Sequence, residues 1–199
     1  MMGSVVRVPA SASPVQGSAL AYVFWHSRRP EVDAAEYEER LATFHRALAA
    51  AKPKGFLGSA AFRIAGAPWL ADGGYEDRYL LDGFAALDAL NRGAVSGGVT
   101  GAHDASARLA AGGAAGLYAL VAGDAGSLGA VEATWFAKPE GETYKGFQAP
   151  LERAAAAPGA GVWQRQMVLG PTPEFCLLGG GLEPAGARRV ELALVARFL

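Results

Sequence analysis

The histidines His26, His45 and His103 are the residues of this chain best suited to acid–base chemistry. An imidazole titrates near neutral pH, so it can take or give a proton under physiological conditions. None of the three has the spacing of a helical zinc motif such as HExxH, and a metal site would need ligands from distant segments. We therefore predict no metal, with His26 and His45 as the candidates for a general base.

Each histidine also has a structural interpretation. His26 ends a strand-like segment, where it would be half-exposed and hydrogen-bonded to the following loop. His45 stands four residues after Leu41, at the border of the apolar stripe of a predicted helix. It would either face a cleft between helix and sheet or serve as a packing residue. His103 lies in a Gly/Ala-rich connection, and we expect it to be solvated.

Four further residues are candidates for ligand binding. The guanidinium of Arg28 could bind an acidic ligand group through two hydrogen bonds, or pair with nearby acidic side chains. Trp25 and Tyr37 could line a pocket, although aromatic residues of this kind more commonly form a core. Trp69 lies in a long turn-rich segment, where we expect it to cover a pocket mouth or to contact a second copy of the chain.

Composition and missing motifs exclude several classes. With 18 Lys and Arg against 19 Asp and Glu, the net charge is −1, so the chain lacks the excess of basic residues that is typical of nucleic-acid-binding proteins. The single cysteine, Cys176, excludes an intrachain disulfide framework and a cysteine-based zinc site. The motifs GxGxxG, GxxxxGK[ST] and GxSxG are all absent. No segment is predicted to span a membrane, residues 1–18 read as a flexible leader without a signal-peptide core, and we expect the cytoplasm.

The elements that must position these residues occur twice. Segments 20–64 and 130–169 both run through an apolar strand ending in aromatic residues, a charged loop with proline, an amphipathic helix and a Gly-led strand. In this pairing Trp25 corresponds to Trp135, and Tyr37 to Tyr144. Each half continues with another strand, helix and strand, although the second half has almost lost its second helix. We predict two β-α-β-β-α-β repeats, 19–125 and 126–199, in one compact unit.

A chain of two such repeats resembles the dimeric α/β barrel superfamily over roughly residues 20–199. The resemblance implies an α+β fold in which two antiparallel ferredoxin-like sheets pack face to face as an α/β barrel. The superfamily contains cofactor-independent monooxygenases, haem-degrading monooxygenases, chlorite dismutase-like haem proteins, isomerases, decarboxylases and stress-induced proteins. Because this fold carries many activities, the resemblance does not choose among them.

The resemblance also bears on cofactors. The chlorite dismutase-like proteins bind haem through a histidine of the second repeat, and this chain has no histidine after His103. The haem-degrading relatives place an asparagine on the first strand, whereas the single asparagine here is Asn91. We therefore expect no haem and no other cofactor.

A ferredoxin-like unit suggests a partner for His26. With the first and third strands taken as parallel neighbours, their carboxyl ends meet, and Asp82 would lie beside His26 and orient its imidazole. If so, the site lies in the first repeat, which holds every histidine.

Three hypotheses for function remain. The chain could bind a small apolar or aromatic molecule in a cleft of the first repeat. It could instead be a cofactor-independent, monooxygenase-like or isomerase-like enzyme with a histidine base, or an interaction protein without a ligand. An enzyme should place an imidazole in a cavity beside a carboxylate or arginine, whereas a binding protein needs only the cavity. The shortened second repeat would leave sheet surface for a second subunit, so we also expect a homodimer.

Overall fold

The computed structural model describes residues 19–70, 73–181 and 184–199, so the predicted leader 1–18 lies outside the described residues. Eight strands and four α-helices alternate along these residues. The strands are β1 (Leu20–Arg28), β2 (Phe56–Ile64), β3 (Gly74–Leu81), β4 (Ala110–Gly123), β5 (Glu132–Phe136), β6 (Gly161–Arg165), β7 (Phe175–Leu178) and β8 (Arg188–Phe198). The helices are α1 (Ala34–Ala51), α2 (Ala86–Ala94), α3 (Thr100–Ala107) and α4 (Tyr144–Ala154).

The strands form one closed barrel in the order β1-β3-β2-β8-β5-β7-β6-β4, with every pair antiparallel. The expected α+β class and the expected barrel are therefore confirmed, and the strands of the two halves also pair with each other in a single closed sheet. The strand pairs β2/β8 and β4/β6 join the two halves. Closure gives hydrogen-bond partners to backbone groups that two separate sheets would leave unpaired at their edges.

The pairing of β1 with β3 is antiparallel, which corrects the parallel arrangement expected above. The hairpin between β2 and β3 reverses the chain direction before β3 pairs with β1. In this register Leu20 pairs with Leu81, while His26 pairs with Tyr75. Asp82 follows Leu81 and therefore lies at the end of β3 far from His26, so it cannot orient that imidazole.

The interior of the barrel is a packed core that contains one buried ion pair. Glu76 accepts hydrogen bonds from Trp25 Nε1 at 2.7 Å and from Arg78 Nε at 2.6 Å. Arg78 also donates to the carbonyl oxygens of Leu128 and Ala130. The void among these side chains is about 10 Å³, which is about the space of one water molecule. This void is therefore too small for an organic ligand.

The helices cover the outer faces of the barrel. Helix α1 begins at its N-cap Asp33, whose carboxylate accepts from the backbone N–H groups of Ala35 and Glu36. Helices α2 and α3 complete the cover of the first half, and α4 packs on the second half. No helix occurs among the described residues between β7 and β8. Within the described ranges, none of the helices is both long and apolar enough to cross a membrane.

Candidate functional site

A cavity of about 460 Å³ lies between the outer face of β1 and β3 and helices α1, α2 and α3. Most of its wall is apolar and comes from strand and helix side chains, including Tyr22, Phe24, Leu41, Phe44, Leu87 and Leu90. Its polar groups on the sheet side and on α1 are His26, Tyr37, Asp77 and Tyr79. An apolar cavity of this size with a few convergent polar groups is typical of a site for a small organic molecule.

Asp77 is the centre of the polar groups and is 2% exposed. Its Oδ2 lies 3.3 Å from His26 Nε2 and 3.4 Å from His45 Nε2. The hydroxyl of Tyr79 donates to the same oxygen at 3.1 Å. The two imidazole contacts are electrostatic, because neither Nε2 atom makes an aligned hydrogen bond among the described residues. One carboxylate therefore holds two imidazoles that come from different elements.

Hydroxyl groups occupy the other side of each imidazole. Tyr37 Oη lies 2.7 Å from His26 Nδ1, and Ser59 Oγ lies 2.8 Å from His45 Nδ1. Every donor in this arrangement has an acceptor nearby when each imidazole carries its proton on Nε2 and each hydroxyl donates to Nδ1. The result is a continuous series from Tyr37 through His26, Asp77 and His45 to Ser59.

The local structure explains why these groups meet. Strand β3 alternates, so that Asp77 and Tyr79 lie on the outer face while Glu76 and Arg78 face the barrel interior. On α1, Tyr37 and His45 lie eight residues apart in the buried stripe of the helix. Two turns of helix therefore separate the residue that contacts His26 from the imidazole that contacts Asp77.

Burial and charge set the protonation of the polar cluster, which consists of Tyr37, His26, Asp77, Tyr79, His45 and Ser59. Burial alone raises the pKa of Asp77, but the opposing effects of His26 and His45 prevail, and its pKa lies well below its usual range. Burial, followed by the charge of Asp77, raises the pKa of both Tyr37 and Tyr79. Asp77 is therefore an anion at neutral pH, and both phenols keep the protons that they donate.

Gly113 of β4 affects the shape of the cavity. A Cβ atom at this position would lie 2.5 Å from the Phe24 ring and 2.5 Å from the carbonyl oxygen of Trp25. The Phe24 ring stacks on His26 with a centroid distance of 5.0 Å. The missing side chain thus lets β4 pass closely beside the cavity wall.

The structure brings three of the predicted site residues together. His26 and Tyr37 line the cavity, and His45 lies behind them against Asp77. Both histidines are fully buried, which corrects the half-exposed strand end expected for His26 and the border position expected for His45. His103 lies on helix α3, which corrects the predicted irregular connection, and it lines the cavity with a side chain that is 34% exposed.

The other predicted residues lie elsewhere. Trp25 faces the barrel interior and Asp82 is exposed at the far end of β3. Arg28 donates to the backbone carbonyls of residues 29, 30 and 32, outside the cavity. Trp69 packs against Trp25 and Trp135 as part of the barrel core, not over a pocket mouth.

Asp77, Tyr79 and Ser59 were missed by the sequence analysis. The signal for Asp77 was present in the strand sequence GYEDRYLL, where the charged residues Glu76, Asp77 and Arg78 stand in the middle of an apolar strand. A strand that is buried on both faces cannot bury three charges without partners for them. Correct antiparallel register would have placed Asp77 on the face of His26.

No protein-family model matches the chain, and no curated protein does so. Among solved structures, a suggested monooxygenase from Fusobacterium nucleatum is 10% identical, with a TM-score of 0.61 over 92% of this chain and 95% of that one. The chain has the dimeric α/β barrel fold. A dimeric ferredoxin-like protein of unknown function from Thermobifida fusca is 18% identical over 53% of this chain and 93% of that one, with a TM-score of 0.41. A suggested chlorite dismutase is 11% identical over 90% and 96%, with a TM-score of 0.48.

The dimeric α/β barrel fold includes haem proteins, so we compared the residues present with the needs of haem. In the second half, Phe136, Phe147 and Phe175 fill the space between sheet and helix. In the first half, Tyr37 and Asp77 hold the two ring nitrogens of His26. The residues do not fit haem, and we derive no chemistry from it.

Proposed function

We propose that the protein binds a small aromatic molecule in the cavity of its first half. The observation that supports this proposal is the combination of an apolar cavity of about 460 Å³ with one buried polar cluster at its wall. The aromatic and leucine side chains would contact the body of the ligand, and the polar cluster would bind its functional group.

A matched pair of variants tests the proposal. Ala94, at the end of α2, lines the cavity, whereas Ala156 is exposed in the second half. Ala94→Trp would fill the cavity, and Ala156→Trp adds the same side chain elsewhere. A thermal-shift survey with mono- and bicyclic aromatic compounds should raise the melting temperature of the wild type and of Ala156→Trp by several degrees at about 100 Kd. Failure of every compound, or an undiminished shift in Ala94→Trp, would contradict the proposal.

A second candidate function is acid–base catalysis, which the series Tyr37–His26–Asp77 favours. Tyr37 could accept a proton from a bound phenol or carbon acid while passing its own proton to His26 Nδ1. Asp77 would then stabilise the imidazolium through Nε2. This is the arrangement of an imidazole in a cavity beside a carboxylate that an enzyme requires. His45 would act as a positioning residue through Asp77.

Deuterium exchange tests this second candidate. The probe is 1,3-dihydroxynaphthalene, whose ring protons exchange through a keto form, and the exchange is followed by NMR in D₂O. A positioned general base contributes about 10²–10⁴-fold to such a proton transfer. His26→Gln and Tyr37→Phe should reduce the exchange to the buffer rate, while Tyr144→Phe, an exposed tyrosine, keeps the wild-type rate. A wild-type rate equal to that of buffer would leave binding without catalysis.

A further inference from the structure

We propose that the cavity selects neutral aromatic molecules that carry a hydroxyl or N–H group, and that it excludes their carboxylate analogues. This inference rests on the proposed function, because it names the class of ligand for the same cavity. It follows from an acceptor without a partner, from the charges of the wall and from the rings that surround them.

The acceptor is Asp77 Oδ1. Asp77 lines the cavity, and Oδ1 is a buried atom with no hydrogen-bond partner among the described residues. Its other oxygen, Oδ2, already has the contacts with His26, His45 and Tyr79. A buried charged acceptor without a donor carries a desolvation cost, which a donor on the ligand would remove by displacing the side chains that now cover Oδ1.

The charges of the cavity wall oppose an anion. Among the described residues that line the cavity there is no lysine and no arginine. Arg78 follows Asp77 on β3 but faces the barrel interior, where it pairs with Glu76 at 2.6 Å. Of the titratable side chains near Asp77, His26, His45 and Tyr79 already contact its Oδ2. Burial and then the charge of Asp77 raise the pKa of Tyr22 and Tyr37, so both stay neutral, and His103 of the cavity wall already contacts Asp104 at 3.1 Å. A ligand carboxylate would therefore lie beside a buried carboxylate without a dedicated counter-charge.

The rings of the wall favour an aromatic body. Phe24 stacks on His26, and the cavity also contains the side chains of Tyr22 and Phe44. Aromatic rings pack against one another in stacked or edge-on geometry, which adds to the gain from apolar burial. A ligand with a flat ring body and one donor at its end would satisfy both the wall and Asp77.

Three probes with one ring system test the inference: 2-naphthol, 2-methoxynaphthalene and 2-naphthoate. Calorimetric titration of the full chain at pH 7.5 compares a neutral donor, its analogue without a donor and an anion. A hydrogen bond to a charged group corresponds to roughly a tenfold or greater difference in affinity. We expect 2-naphthol to bind at least tenfold more tightly than 2-methoxynaphthalene, and 2-naphthoate to bind most weakly.

Two variants assign the selectivity to one carboxylate. Asp77→Asn removes the charge and should narrow the gap between 2-naphthol and 2-naphthoate by about tenfold or more. Asp82→Asn makes the same change on the exposed residue after β3 and should keep the wild-type order. If Asp77→Asn does not fold, the wild-type series still decides, because the order of the three probes is the prediction.

The outcomes separate this inference from the proposed function. If 2-methoxynaphthalene or 2-naphthoate binds as tightly as 2-naphthol, and Ala94→Trp abolishes that binding, the selectivity is wrong while the aromatic site stands. If none of the three probes binds, or if Ala94→Trp leaves their binding unchanged, both proposals are overturned.

Discussion

The two halves of the barrel contain the same arrangement of three rings, but the rings carry polar groups in the first half and are purely hydrocarbon in the second. In the first half His26 stacks on Tyr75 with centroids 5.7 Å apart, and Tyr37 meets both rings edge-on. In the second half Phe136 stacks on Phe175 at 5.6 Å, and Phe147 meets both rings edge-on. The strand registers agree, since Trp25 precedes His26 as Trp135 precedes Phe136.

The correspondence extends to the centre of the polar cluster. Counting from the paired tryptophans, Asp77 corresponds to Leu177. Tyr37 and Phe147 each follow their tryptophan by 12 residues. This correspondence replaces the pairing with Tyr144 expected from the sequence, since Tyr144 is exposed. The fold therefore forms this layer equally well from hydrocarbon side chains. The polar groups of the first half are not required for the architecture, and this difference supports a functional role for them.

The largest expected effect comes from breaking the cluster at its centre. Asp77→Leu copies the second half at one position and leaves two buried imidazoles without their shared partner. Each buried polar group that loses its partner costs about 1–3 kcal/mol. Urea unfolding should show this loss of stability.

The complementary variant replaces every polar group of the cluster with an apolar side chain. It combines Asp77→Leu with changes that remove the partners of the carboxylate: His26→Phe, Tyr37→Phe, His45→Ala, Ser59→Ala and Tyr79→Phe. Apolar replacement of a complete buried ionic group is often neutral or stabilising. We expect most of the lost stability to return, with no binding of 2-naphthol. A combined variant less stable than Asp77→Leu alone would show that the cluster is structural.

Acid should destabilise the polar half through Asp77. The folded-state pKa of Asp77 lies below its unfolded value of about 3.9, so its contribution is present above that value and is lost as the pH falls below it. Each proton taken up on unfolding gives a slope of about 1.4 kcal/mol per pH unit. Urea unfolding between pH 6 and pH 2.5 should give the combined variant a shallower acid slope than the wild type. Equal slopes would exclude Asp77 as a source of acid sensitivity, and Asp82→Asn is the control.

Exchanging one hydroxyl between the halves should cost stability in both. Tyr37→Phe leaves His26 Nδ1 without its partner, and Phe147→Tyr buries a hydroxyl between two phenylalanines. An unsatisfied buried polar group costs about 1–3 kcal/mol. Adding Phe136→His to Phe147→Tyr should recover part of the loss, because the new pair reproduces the contact of the first half. Strict additivity in this double-mutant cycle would mean that the two sites do not correspond.

The smallest effects concern the helix caps. Asp33 caps α1 and Thr143 caps α4, each through its side-chain oxygen. Replacing either residue with alanine should lower the free energy of unfolding by about 1 kcal/mol. Only Asp33→Ala should also weaken binding of 2-naphthol, because α1 carries Tyr37 and His45. Equal effects of both variants on binding would contradict a site confined to the first half.

Much of the architecture could be predicted from periodicity. The alternating apolar strands, the stripe of α1 and the short second half of the chain were all readable in the sequence. His26, Tyr37 and His45 were found because their residue types suggest chemistry. The sequence did not determine the direction of the strands. Because β1 and β3 were taken as parallel, Asp82 was predicted as the partner of His26, whereas the structure has Asp77 in that place.

The interior of the barrel explains the remaining errors. Trp25 and Trp69 were candidates for a pocket because the sequence shows how apolar a segment is, but not on which side of a closed sheet its side chains lie. Glu76 and Arg78 form an ion pair on the inner face, while Asp77 between them serves the outer face. Only the three-dimensional alternation of β3 separates the charges inside the barrel from the charge at the cavity.

We propose that the polar cluster of the first half contacts the ligand directly. The most direct test is NMR of protein labelled with ring-¹⁵N histidine and titrated with 2-naphthol, because three histidines give few resonances. His26→Gln assigns the decisive signals. We expect the His26 ring nitrogens to shift in a saturable manner, at the concentrations where calorimetry detects binding. Saturable binding that leaves the His26 signals unchanged would contradict the account.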